Sequence, residues 1–255
     1  MFAFIIAHLP AFCQKSDSSR IAVFYRAGRD ITIPEYKAEA PLTSIGEAVE
    51  KGFSQTDFVQ LHLGLVYQMR NRWGLGLVYS NFLSPEIPVN SSAYFKAQYP
   101  GYAVVNPPGA GKLNLGSDFL SLHLEHSFQK KFLFVCPYAE AGIGRIKEPE
   151  IQAFMKQPDA NRYLSVGVSY SSGLSSSYTC GVDLGVRFIK DLFFFCFSPS
   201  VGYYRWQWTQ TDYSTDFFGQ TTRSEQQFSL RQTHFLLMVN MGIRIPFSSQ
   251  FYKTL

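Results

Sequence analysis

Charge is scarce in this sequence. Asp, Glu, Lys and Arg make up 16% of its 255 residues, against about a quarter in an ordinary soluble domain. No Lys/Arg run is dense enough, or interleaved closely enough with aromatic residues, to track a phosphate backbone, so nucleic acid is excluded as a partner. Past the N-terminal dozen residues no apolar stretch reaches about eighteen, which excludes a transmembrane helix there. Cysteine gives no framework either. Of four, Cys13 lies in the N-terminal apolar run, and Cys136, Cys180 and Cys196 form an odd set without metal-ligand spacing. No disulfide scaffold, metal site or cofactor is expected. Gly-rich phosphate loops and nucleotide fingerprints are missing as well.

What is abundant is aromatic. Phe (24) and Tyr (15) dominate a 16% aromatic fraction. The opening "MFAFIIAHLPAFCQKSD" reads as the apolar core of a secretory signal peptide, placing a signal at 1–13 and one mature domain at 14–255. After it, segments of two-residue period recur, the strand signature. Eight are predicted, at about 20–30, 56–69, 72–84, 116–128, 131–146, 176–189, 192–210 and 227–247. Three connections are tight, near Asn71, Gln129–Lys131 and Lys190-Asp191. The other four are long, at about 31–55, 85–115, 147–175 and 211–226. Short and long alternate, so an up-and-down meander puts all tight turns at one end and all long loops at the other. Within the third long loop, "PEIQAFMKQ" is read as one short helix, and "RYLSVGVSY" as an extension or a hairpin over the mouth.

The strands carry two faces. One holds Leu61, Leu63, Leu65, Leu75, Leu77, Leu120, Leu122, Leu124, Val182, Leu184 and Phe235 to Phe247 in alternation, almost purely apolar. The other is mixed: glycines and serines with His62, His123, Glu125, Glu140, Asp183, Arg187 and Arg244. Lysine is confined to loops, turns and strand ends, whereas a soluble barrel would spread it along its outer faces. The apolar face is therefore assigned to lipid and the mixed face to a closed lumen, where Glu125, Glu140 and Asp183 neutralise Arg187, Arg244 and Arg26. Aromatic bands are expected at both ends of the belt: Trp73, Phe128, Phe132, Phe188, Phe193 and Phe247 at the tight-turn end, and Tyr79, Phe82, Tyr203, Tyr204, Trp206 and Trp208 at the loop end.

The segments "PYAEAGIG" (Pro137–Gly144), "GVDLGVRF" (Gly181–Phe188) and "VNMGIRIPF" (Val239–Phe247) give the chain its resemblance to the small eight-stranded outer-membrane barrels of the OmpA/OmpX/OmpW-like group. Its Phe and Tyr runs and large loops suggest a Bacteroidetes-type version. The resemblance implies an all-β, eight-stranded antiparallel up-and-down transmembrane barrel in a Gram-negative outer membrane. It also implies an aromatic assembly signal, here Phe247, read by the barrel assembly machinery. The expected partners are outer-membrane lipid and an envelope or extracellular protein met by the loops. Catalysis is weighed separately. His126 and Ser127 are neighbours on a strand and point to opposite faces, which prevents the hydrogen bond of a nucleophile–base pair. Asp212, Ser214 and Asp216 lie in a long loop without a histidine. A non-enzymatic membrane anchor is the leading expectation. A lipid-modifying enzyme of the lipid A acylase or deacylase type and a soluble lipocalin-like carrier are the alternatives.

Overall fold

The structure, a computed structural model, describes residues 19–31, 37–38, 59–83, 87–89, 95–96, 98–106, 111–113, 116–147, 150–158, 162–189 and 191–246. The 1–13 run and Phe247 lie outside the described residues. Fifteen strands occur among them: β1 (Arg20–Asp30), β2 (Lys37–Ala38), β3 (Val59–Gln68), β4 (Trp73–Leu83) and β5 (Ile87–Val89). Next come β6 (Ala103–Asn106), β7 (Gly111–Leu113), β8 (Ser117–His126), β9 (Phe128–Lys130) and β10 (Leu133–Ile146). The last are β11 (Glu150–Lys156), β12 (Tyr163–Ser172), β13 (Ser175–Phe188), β14 (Phe193–Thr215) and β15 (Thr221–Pro246).

Eight of these make a closed ring in the order β1-β3-β4-β8-β10-β13-β14-β15, every pair antiparallel. β1 closes onto β15 from Arg20↔Pro246 to Asp30↔Leu236. Alternation sets the faces. Leu63, Leu65, Leu77, Leu120 and Leu122 are exposed outside, while His62, Gly64, Ser121 and His123 face in. Ten residues separate Phe193 from Tyr203, and likewise Phe188 from Tyr178. At about 3.3 Å per residue and a tilt of about 40°, they bound a belt about 25 Å high. Among the described residues, the outward face of that belt is uncharged but for Arg29, exposed on β1 opposite Leu237.

All three tight turns lie at one end and do without glycine. Arg72, Lys131, Ile189 and Asp191 take positive φ there, a conformation costly for non-glycine residues. Asn71 helps hold the first turn, its Oδ1 accepting from the Trp73 amide at 3.3 Å.

The far end departs from the sequence expectation of irregular loops. The segment 211–226 is a regular hairpin, β14 and β15 pairing without a break from Phe193↔Ile243 to Thr215↔Thr221. "PEIQAFMKQ" is not a helix but strand β11, which pairs with β12, and β12 pairs with the outer half of β14. The reason is packing. Ala153 and Met155 alternate inward on β11 and join Val166, Val168, Trp208 and Phe228 in one buried cluster, so two-residue periodicity wins. β6 completes this small sheet at its edge.

The same cluster corrects the upper aromatic band. Phe82, Tyr204, Trp206 and Trp208 point into the barrel mouth instead of outward. There they stack with Phe119 and with Phe95, which is carried by the turn 95–99. Their even positions share the face of Ser80, Ser198 and Gly202, so parity overrides aromatic character. Tyr79 and Tyr203 remain outside.

Candidate functional site: the barrel lumen

The lumen holds the titratable groups, and it is packed. A fully buried Arg26 on β1 lies at the centre. Its Nη1 donates to Glu140 Oε1 at 3.0 Å, and its Nη2 reaches Asp183 Oδ2 at 3.5 Å. The guanidinium also lies over the rings of Tyr138 (4.2 Å) and Phe24 (5.0 Å). Asp183 accepts further bonds from Ser198 and, at 3.1 Å, from Asn240 Nδ2. His123 faces Glu140 Oε1 at 2.9 Å through Nδ1 and Glu125 Oε2 at 3.2 Å through Nε2. Both nitrogens meet acceptors, so only the imidazolium satisfies both contacts. Gln68 donates to Glu125 as well.

His62 is held between Gln60 Oε1 at 3.0 Å on Nε2 and Ser80 Oγ at 3.1 Å on Nδ1, with Glu140 Oε2 3.9 Å away. The acceptor on Nε2 fixes the tautomer, so the Ser80 hydroxyl donates to Nδ1. Weighing sequence neighbours misses this Ser–His pair, since eighteen residues separate its members. The signal was present, because both belong to the mixed face of adjacent strands. The pair is buried beneath Tyr204, whose hydroxyl donates to Gln60 at 3.3 Å, and Phe82. A nucleophile sealed there cannot meet a substrate. His126 and Ser127 do take opposite faces, His126 packing on Trp73 and Phe128 while Ser127 is buried.

Among the described residues, Arg187 and Arg244 make no close ion pair with a carboxylate, although Glu125 acts on Arg244 at longer range. They flank the Phe134 ring at 4.7 and 5.2 Å, and Arg244 also covers Phe194 at 4.9 Å. Arg187 donates to Ser127 Oγ at 2.7 Å and to Gln129. Glu140 and Asp183 thus meet Arg26 and Glu125 meets His123, while Arg187 and Arg244 make cation–π contacts in place of the expected ion pairs. Strand geometry explains it. Arg187 lies four residues nearer the tight turns than Asp183, and Arg244 four nearer than Asn240. A further pair, His234 with Asp30, lies towards the mouth. Asp30 escaped sequence reasoning because it ends its strand.

Glycine makes this filling possible by close approach. A side chain at Gly64 would occupy the Phe24 ring, and one at Gly181 would sit 2.6 Å from the Tyr138 hydroxyl. Arg26, Glu140, Asp183, His62 and His123 are thus enclosed between an aromatic plug at the mouth and Phe24, Phe134 and Phe194 towards the other end. Among the described residues, no group of three His, Cys, Asp or Glu is arranged to hold a metal ion.

The fold is an eight-stranded antiparallel barrel. No protein-family model matches the chain, and no curated protein does. Similar solved structures are outer-membrane barrel proteins. A major outer membrane protein from Thermus thermophilus has 13% identity and a TM-score of 0.43, over 90% of this chain and 99% of that one. The beta domain of the Bordetella autotransporter Brka has 9% identity and a TM-score of 0.27, over 91% and 100%. The Pseudomonas putida toluene transporter TodX has 7% identity and a TM-score of 0.18, over 94% and 93%.

Proposed function

We propose that this chain is an integral outer-membrane barrel of a Gram-negative bacterium, a non-enzymatic anchor that presents an ordered structure to the exterior. The observation that carries the reading is the outer belt. A closed wall about 25 Å high, leucine-rich and carrying almost no charge, fits the hydrocarbon band of a transmembrane barrel. A soluble protein rarely exposes apolar surface on that scale. The packed lumen argues against a solute path and leaves the β14–β15 hairpin with its flanking sheet as the working part. At the hairpin's tip Phe217 and Phe218 are exposed edge to face at 5.7 Å. Asp216 Oδ1 holds them by accepting from the amides of Phe218 and Gln220 at 2.9 and 2.8 Å. Such a rigid, apolar tip suits contact with a protein partner outside the cell.

Intact cells carrying Thr222→Cys, treated with a membrane-impermeant maleimide, test the reading. The expected result is labelling of that cysteine, with the protein recovered in the outer-membrane fraction. Recovery in the aqueous fraction would overturn it.

A further inference from the structure

The outer end of β15 is an open strand edge. β1 pairs with residues 236–246 and β2 with Leu230 and Arg231. Along 221–229 only β14 pairs with β15 among the described residues, and the side chains of 221–227 are exposed. Two backbone bonds fix which groups this edge presents. Gln220 O accepts from the Asp216 amide, across towards β14, whereas Phe235 O accepts from the Ile31 amide on the other side. The β14–β15 register has no break between them. Peptide groups alternate sides along a strand, so those of Thr221, Arg223, Glu225, Gln227 and Ser229 point to the open edge. Proteins blunt such an edge with lysine, proline or a bulge. This stretch, "TTRSEQQFS", has none of them.

Two opposite charges mark the edge. Arg223 and Glu225 share the face turned away from Phe228, and within the hairpin they lie opposite Tyr213 and Thr211. Neither forms an ion pair among the described residues. Only odd positions present bonding groups, so an antiparallel pairing of this edge with itself has its two-fold axis on a residue. An axis at Ser224 sets Arg223 of each copy opposite Glu225 of the other. One residue earlier it sets Arg223 against Arg223, and one later Glu225 against Glu225. Opposed like charges destabilise a sheet, so charge selects Ser224. In that register the strand of one copy ends at Gln220 opposite Phe228 of the other, clear of β2 at Leu230.

We infer that the open edge of β15 binds a second copy of this chain, the two strands pairing antiparallel about Ser224. The pairing forms about eight backbone hydrogen bonds and sets Arg223 against Glu225 twice. β15 runs from the tip towards the membrane, and the hairpin continues the barrel wall. An antiparallel copy therefore arrives from the opposite side, with its barrel in a facing membrane, and the contact joins one cell to another.

The inference names the protein partner of the hairpin and rests on the membrane reading above, and the test separates the two. The full chain is placed one barrel per lipid nanodisc, and sedimentation velocity follows joining of discs. Wild-type discs are expected to form two-disc particles with each other and none with empty discs. Arg223→Glu and Glu225→Arg, each folded by circular dichroism, should each self-associate at least about tenfold more weakly. Mixed together, the two variants should join as the wild type does, since each Glu then faces an Arg. If a reversal variant fails to fold, Arg223→Gln should weaken self-association at least about threefold. Single discs only from the wild type, joining to empty discs, undiminished association of the folded variants, or failure of the mixed pair overturns the self-pairing. Failure of the membrane reading has a different signature, partition of the wild type into the aqueous phase on detergent phase separation.

Discussion

Single residues in the lumen bear unequal loads. Glu140 serves Arg26, His123 and, at longer range, His62. Removing its charge leaves the buried guanidinium with Asp183 alone, and breaking a buried pair costs about 3 kcal/mol. Glu140→Gln is therefore expected to lower the unfolding free energy of the detergent-solubilised barrel, measured by urea titration, by that amount, and an unchanged value would show that the network adds no stability. Arg187 should matter less, because its cation–π contact and two neutral acceptors are each worth about 1 kcal/mol. At the outer wall the register makes a sharper contrast. Leu122 faces out and Ser121 faces in, against Gly142. Leu122→Arg is expected to destabilise by about 2–4 kcal/mol, the cost of a cation on the lipid face. Ser121→Arg should instead block folding by overfilling the lumen. Folding yields into lipid vesicles measure both, and equal tolerance would refute the face assignment.

At the scale of elements, the wall strands and their faces were legible because alternation runs along each of them. Lysine's confinement to the ends then told which face is wet. The superstructure was less legible. β11 reads as a helix because seven residues cannot separate a period of two from 3.6 when Ile151, Phe154 and Met155 are scattered among polar neighbours. The outer half of β14–β15 is rich in Thr, Ser and Gln, so nothing local distinguishes it from a loop. It is ordered by β12 alongside and by Trp208 stacked on Phe228 at 5.6 Å. For the same reason the lumen site is legible as a set of residues but not as pairings, since which cation meets which carboxylate depends on stagger between strands. The hairpin tip gives its own prediction. Asp216→Ala removes two bonds to backbone amides, about 1 kcal/mol of local stability. Added protease should then cut at 216–220 several times faster while the barrel stays intact, and an unchanged rate would count against Asp216 as the organiser of the tip.

For the whole molecule, the ends of the lumen decide what can pass. With Phe134 and Phe194 at one end and Phe82, Phe119 and Trp206 at the other, reconstituted protein is expected to show no steady conductance in planar bilayers. Sustained ohmic steps from the wild type would contradict the packed interior. Closure has its own consequence. The seam joins residues 20–30 to 236–246, the two extremities of the described wall, so every incomplete product of synthesis is a ribbon with two bare margins. Such a ribbon has no shape that lipid tolerates. Insertion is thereby coupled to the arrival of the final segment, and until then the unfinished polypeptide depends on whatever escorts it.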